Sequence, residues 1–329
     1  MRRIMLAIAA VVFAASPLRS QEPGSQLTIY LLTMCPGDQV WEKFGHDAIW
    51  IHDEANGTDI AYHWGLFDFA DKDFVPRFVQ GRMRYSMGAF DFNQTIYSYR
   101  MANRTVWAQR LNFTPAQKQK LADFIAWNIL PENRYYHYDY FRDNCATRVR
   151  DALDAALGGV IKQQTEKIPT GTTYRFHTSR LTQDSWPVFT GTMMGLGEPT
   201  DRAINAWEEM FLPVRMMNQL HSVRVQTANG TEPLVMNEEV LFQATRPAED
   251  VAVRRGMGGY LLIALVILAL GLVLWVLGKN GNQAAVLSLA TLWSFTAGLA
   301  GVLLTGLWAF TDHLYSYRNE NVLQLNPFS

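Results

Sequence analysis

Tyr138-Asp139-Tyr140-Phe141-Arg142-Asp143-Asn144-Cys145-Ala146-Thr147-Arg148 is the stretch from which the rest of the chain is read. It ends in a cysteine that opens an amphipathic helix: Val149, Leu153, Ala156 and Leu157 recur at helical spacing, and Gly158-Gly159 ends the run. Asp143 or Asn144 can cap its N-terminus. A thiol at that position lies at the positive end of the helix dipole, which favours the thiolate, so Cys145 is a candidate nucleophile. The competing reading is a small buried core residue, the common fate of a free cysteine.

The only other cysteine, Cys35, sits in a Cys-Pro-Gly turn. In an exported chain two cysteines also invite a disulfide, which would make Cys145 structural. A nucleophile needs a base within hydrogen-bond reach. Of the seven histidines, His46 begins a strand after Phe44-Gly45 and is the first candidate. Asn56-Gly57 reads as a two-residue hairpin turn, which makes Ile60-Ala61-Tyr62-His63-Trp64-Gly65-Leu66-Phe67 the return strand. That register puts Trp50 opposite His63 and His46 opposite Phe67, with both histidines on one face. There is no His-x-x-x-His or Cys-x-x-Cys pair, no Gly-x-Ser-x-Gly and no Walker motif, so neither a metal nor a cofactor is expected.

Outward from this pair, residues 27–33 read as a strand and 71–80 as a short helix or loop ended by Gly81. Residues 82–88 and 105–111 read as strands. Asp91 can cap a helix to about Ala102, and Thr114-Pro115-Ala116-Gln117 combines a capping box with proline at the first helical position. Residues 160–200, rich in Thr, Gly and Pro, read as long surface loops, and 201–211 as an amphipathic helix followed by a second over 214–220. Met210, Phe211, Leu212, Met216 and Met217 form an apolar cluster, either core or an adaptable lipid-facing lid. Asn229-Gly230 marks another hairpin.

At the N-terminus, Arg2-Arg3, the apolar run 4–15 and Leu18-Arg19-Ser20 read as an export signal, residues 1–20. Residues 260–277 and 284–310 are apolar runs long enough to cross a bilayer, joined by Lys279-Asn280-Gly281. Export places residues 21–255 outside the cytoplasm and brings the tail, from Thr311, back to the same side. Arg254 and Arg255 before the first span pull against this by the positive-inside rule, but a large domain translocates despite such charge. A net charge of -1 gives no electrostatic case for nucleic acid. The 10 Trp, 13 Tyr and 18 Phe suit a packed core or a lipid interface.

Gly45-His46-Asp47-Ala48-Ile49-Trp50-Ile51, Tyr62-His63-Trp64-Gly65-Leu66-Phe67-Asp68-Phe69 and Asp143-Asn144-Cys145-Ala146-Thr147-Arg148, in that order, resemble a circularly permuted NlpC-type papain-like domain. The lecithin:retinol acyltransferase-like proteins share this order of histidine before cysteine. With Met210-Phe211-Leu212-Pro213 and the tail Asn319-Glu320-Asn321-Val322-Leu323, residues 27–329 resemble the Lnb-type bacterial lipoprotein N-acyltransferases. The resemblance implies an α+β fold: a permuted papain-like domain with an antiparallel sheet and helices, followed by a transmembrane helical hairpin over 256–329. It implies Cys145 as nucleophile, His46 as base and His63 orienting the imidazole, a position where relatives often carry asparagine. Arg148, Asn144 and Tyr62 become candidate substrate contacts, Arg148 equally a partner for a structural carboxylate. The implied partners are a phospholipid or lipoprotein acyl donor and the N-terminal amine of an exported lipoprotein, at the bacterial inner membrane with the catalytic domain in the periplasm. Members carry further transmembrane helices beyond such a tail, whereas the sequence here stops at Ser329, leaving open a truncated chain or a different activity. Two other readings compete: a periplasmic cell-wall peptidase or amidase of the NlpC-type class, and a non-catalytic envelope scaffold with a Cys35–Cys145 disulfide.

Overall fold

The computed structural model describes residues 22–247, 249, 252 and 257–325. The expected export signal, Arg254, Arg255 and the tail residues Asn326 and Pro327 lie outside the described residues. The chain begins with strands β1 (Leu27–Met34), β2 (His46–Asp53) and β3 (Thr58–Leu66), then helix α1 (Phe74–Gln80), β4 (Arg84–Asp91), α2 (Phe92–Met101), β5 (Val106–Leu111), α3 (Pro115–Asn128), β6 (Tyr135–His137) and α4 (Cys145–Ala156). The local signals work where expected. The Asp91 carboxylate accepts from Gln94 N–H at the start of α2, and Thr114 and Gln117 close the capping box of α3.

Six of these strands and the later β11 (Val235–Phe242) form one sheet in the order β11-β5-β1-β2-β3-β4-β6, antiparallel at every pairing. The interior strand β1 is buried on both faces, with Leu31 and Leu32 both shut from solvent. On one face Ile29, Leu31, Ile49 and Ile51 meet Leu121 and Ile125 of α3 and Val149 and Leu153 of α4. On the other, Leu32, Met34, Ala48 and Ala61 meet Phe92, Ile96 and Tyr99 of α2.

The β2–β3 turn differs from the two-residue expectation. Asp53 pairs with Thr58, leaving Glu54, Ala55, Asn56 and Gly57 as a four-residue loop. The Asp53 carboxylate accepts the N–H groups of Ala55 and Asn56 and so sets the longer turn. His63 therefore faces Ala48 and Trp50 faces Ala61. A two-residue shift preserves the face, so His46 and His63 stay on the same side and come closer.

Residues 160–211 are not loops followed by one helix. They fold as α5 (Val160–Thr165), β7 (Pro169–Thr173), α6 (Tyr174–Thr182), α7 (Trp186–Gly195), β8 (Ala203–Asn205) and α8 (Ala206–Glu209). These pieces are short and are fixed by burial of Tyr174, His177, Arg180 and Leu181. Then follow α9 (Pro213–Leu220) and the hairpin β9 (Arg224–Thr227) and β10 (Gly230–Pro233). Met210, Phe211, Leu212, Met216 and Met217 are all buried, so this cluster is core and not a lid.

Two long helices close the chain, α10 (Met257–Lys279) and α11 (Gln283–Ala309), each long and apolar enough to cross a membrane. The 23 residues of α10 rise about 34 Å at about 1.5 Å each, enough for a hydrocarbon core of about 30 Å. Beyond α11 the chain folds back onto the domain. Tyr315 is buried against Phe141 and Tyr174, with ring centroids 4.6 and 5.5 Å away. Asn319 and Asn321 donate to the Met194 carbonyl near the end of α7. The Asn-x-Asn tail is thus a helix-end clasp, finished by the single turn α12 (Asn321–Gln324).

Candidate active site

Cys145 is the first residue of α4. Asn144 is the cap: its side-chain oxygen accepts Thr147 N–H at 2.9 Å, and the Thr147 hydroxyl accepts Asn144 N–H at 2.7 Å. The Asn144 amide nitrogen donates to the carbonyls of Tyr140 and Phe211, so its side chain is fully engaged in holding this turn. Asp143 instead grips Arg148 through both carboxylate oxygens, and the guanidinium lies 4.2 Å over the Tyr136 ring. The candidate substrate contact Arg148 therefore already holds a carboxylate. Tyr62 packs at the edge of the core under α3 and α4.

The first turn of α4 reaches the end of the β2–β3 pair. Gly65 lies beneath the cysteine: a Cβ there would stand 3.1 Å from the Cys145 Cβ, and its φ of +89° is one that side-chain-bearing residues rarely adopt. The backbone N–H groups of Asp47, Ala146 and Cys145 face the sulfur and favour a thiolate, but burial outweighs them and the charge of Asp47 adds to it. The thiol is pushed up to about 12. This departs from the thiolate expected at a helix N-terminus: the dipole is present, but the sulfur is closely packed, even though the residue keeps part of its surface open to solvent.

His46 opens β2 and His63 lies on β3, on the face of Ala48 and Ala61. Their rings are hydrogen-bonded, His46 Nε2 to His63 Nδ1, at 3.0 Å. His46 stacks on Tyr99 of α2 at 6.3 Å, and Phe90 meets His63 edge-on at 5.5 Å. Burial pulls His63 down to about 4, and burial followed by the neighbouring His63 pulls His46 well below the usual imidazole range. Both rings are neutral at neutral pH. Among the described residues no hydrogen bond reaches Nδ1 of His46, and none joins the Cys145 thiol to either imidazole. His63 Nε2 is buried without a partner.

Residues that the sequence did not single out complete the surroundings. Asp47 is fully buried; Thr33 donates to its Oδ1 at 2.9 Å, and its Oδ2 has no partner. Tyr85, Tyr99, Tyr136 and Tyr138 all have their hydroxyl ionisation opposed first by burial, and each is close enough to Cys145 for a thiolate charge to oppose it further. Tyr138 stands in the stretch from which the sequence was read, without a role there; nothing in the sequence tied Tyr85, Tyr99 or Tyr136 to the site. His137, nearest to Cys145 in sequence among the histidines, pairs on the edge strand with Arg84. Cys35 and Cys145 are both free thiols, which removes the disulfide of the scaffold reading. Cys35 is buried elsewhere, its sulfur accepting Thr105 N–H at 3.1 Å. Among the described residues no three His, Cys, Asp or Glu side chains gather as a metal site.

The family model described as the Lnb N-terminal periplasmic domain matches residues 15–180, which include His46, His63 and Cys145. No curated protein and no solved structure matches the chain.

Proposed function

Because the chain belongs to the family of the Lnb N-terminal periplasmic domain, we propose that it is a membrane-anchored thiol acyltransferase with a domain of permuted papain-like kind, moving a fatty acyl chain through Cys145 to the N-terminal amine of exported lipoproteins. The observation that carries the reading is a helix-opening cysteine set against Gly65, two residues beyond a His63 that is hydrogen-bonded to His46. The pair of membrane-capable helices supports a lipid substrate over the cell-wall peptide of an NlpC-type hydrolase.

In this mechanism His46 carries its proton on Nε2, donates it to His63 Nδ1, and keeps Nδ1 as the base. Resting contacts of this kind often tighten only when substrate is bound, so a resting site without a thiol–imidazole hydrogen bond is compatible with the role. The Cys145 proton moves to His46 Nδ1 as sulfur attacks the ester carbonyl. The S–C bond forms, the ester C–O bond breaks, and the departing alkoxide takes the proton back from His46. The lipoprotein amine then attacks the thioester: the N–C bond forms, the C–S bond breaks, and the amine proton returns to sulfur by way of His46. Backbone N–H groups at Cys145 and Asp47 are the donors available to the oxyanion. A neutral resting thiol suits an exported enzyme, since thiolate forms only as the acyl group is engaged.

The test is intact mass of the full chain in lipid nanodiscs with a purified lipoprotein. Wild type should gain a hydroxylamine-labile acyl mass and N-acylate the lipoprotein; Cys145→Ser should lower product by at least about 10³-fold. Equal product yield from Cys145→Ser ends the nucleophile reading.

A further inference from the structure

We propose that α1 is seated in the bilayer surface and forms the lip over which one acyl chain of a membrane phospholipid reaches Cys145; the delivery part rests on the acyltransferase reading, the seating does not. On this seven-residue helix Val75, Phe78 and Val79 are 65%, 46% and 55% exposed. Their spacing of three and four puts them on one face, an apolar stripe turned to the outside. Neighbouring Phe69 and Trp41 are also half-exposed, at 58% and 50%, and their rings touch at 5.1 Å.

What covers this face follows from where α1 is fastened. Its C-terminal end is bound to the residues just after the second membrane-capable helix. Asp312 N–H donates to the Gln80 carbonyl at 2.8 Å, the His313 ring reaches the Phe78 carbonyl at 2.8 Å, and Arg82 pairs with Asp312 at 2.6 Å. Gly81 lets the two backbones meet, since a Cβ there would lie 2.7 Å from His313 N. Helix α11 ends at Ala309. Three residues of chain extend at most about 11 Å, and the interfacial layer outside the hydrocarbon is about 5–8 Å deep on each side. The stripe is therefore held in or immediately above that layer, where an apolar face is covered by lipid.

An aromatic path leads inward from the same helix. Phe74, on its protein side, meets Phe67 at 5.8 Å; Phe67 meets Tyr85 at 5.1 Å; Tyr85 stacks on Tyr138 at 4.1 Å. Tyr85 and Tyr138 both feel the charge of Cys145. A hydrocarbon chain leaving the bilayer along this wall stays in apolar contact as far as the thiol.

Two experiments on the full chain in nanodiscs of phosphatidylethanolamine and phosphatidylglycerol test this. With p-benzoyl-phenylalanine in place of Phe78 or Val79, irradiation should give a phospholipid-mass adduct; in place of Tyr97, exposed on α2, it should not. No lipid adduct at 78 or 79, equal adducts at all three, or crosslinks only to protein overturns the seating, whether or not the chain is a transferase. In the second, the triple variant Val75→Ser, Phe78→Asp, Val79→Ser should acylate Cys145 from phospholipid about tenfold more slowly, while a water-soluble acetyl thioester modifies Cys145 at the wild-type rate. An unchanged phospholipid rate, or an equal fall with both donors, overturns the delivery role. Wild type taking acetyl but no acyl from phospholipid overturns delivery and leaves the seating to the crosslinks.

Discussion

His63 carries much of the site's response to acid. Its imidazole titrates near 4 in the folded protein because burial disfavours the cation, against about 6.5 when free. A depressed folded value gives stability that is complete above the free value and is lost as pH falls through about 6.5 toward 4, worth at most about 3 kcal/mol. His63→Asn removes that proton and should flatten Tm against pH between 7 and 4. It should retain most transfer activity, because an amide oxygen can also accept from His46 Nε2. A pH profile of Tm as steep as wild type contradicts the assignment. Asp47 works in the opposite sense. Burial raises its carboxyl well above the usual range, so the protonated form is favoured in the fold and stability is lost as pH rises above about 4. Asp47→Asn keeps an acceptor for Thr33 and removes a carboxyl whose ionisation is disfavoured by burial and, where it occurs, opposes the Cys145 thiolate. At neutral pH its Tm should rise, by about 2–4 °C for each kcal/mol relieved, and Cys145 should alkylate faster with iodoacetamide. A lower Tm and slower alkylation would contradict both statements. That His46 and His63 share one face was legible from strand alternation across the hairpin, and that Cys145 opens a helix from the cap before it. Asp47 was not, since its importance comes only from the sheet end that closes over it.

At the scale of elements, the site is a joint between the N-terminus of α4 and the end of β3, and Gly65 is what lets them touch. Gly65→Ala meets both a positive φ and the Cys145 Cβ, so it should cost about 1–3 kcal/mol and lower Cys145 acylation about 10²-fold. Gly57→Ala, also at positive φ but with nothing within 4 Å, should lose some stability and keep full activity. Thermal unfolding and thioester formation on the two variants separate strain from misplacement; equal activity in both would remove Gly65 from the site. Legibility at this scale followed the range of the forces. Helices α2, α3 and α4 were readable because each capping side chain lies only three residues from the N–H it accepts. The β2–β3 register was misjudged because Asp53, outside the apparent Asn-Gly turn, sets the loop length. Residues 160–211 were misread because no periodic pattern spans such short elements, and contacts across long separations, Phe141 with Tyr174 and His177 with Glu209, hold them.

The whole molecule is held together by its tail as well as by its sheet. Tyr315, beyond both membrane-capable helices, completes the cluster of Phe141, Tyr174, Leu181, Ile204, Phe211 and Leu212. Tyr315→Ala should cost about 3 kcal/mol of domain stability in detergent, read as a Tm fall of about 2–4 °C per kcal/mol. An unchanged Tm would mean that the tail rests on the domain without belonging to it. The long apolar helices were plain in the sequence from length and lack of charge, whereas the docking of Tyr315, His313 and Asn319 onto the domain was not, because no local pattern records a partner more than a hundred residues away. The placement of Tyr315 also sets an order of events during biogenesis. Tyr174 is made 141 residues before it, and at about 5–20 residues per second the interval is on the order of ten seconds. For that time the domain waits with an unfilled core, and, with α10 and α11 read as membrane spans, it is finished only after both are inserted and the chain has returned to the side of the domain. A copy whose insertion stalls is left with that core open to proteases, so maturation of the domain reports on the success of its own insertion.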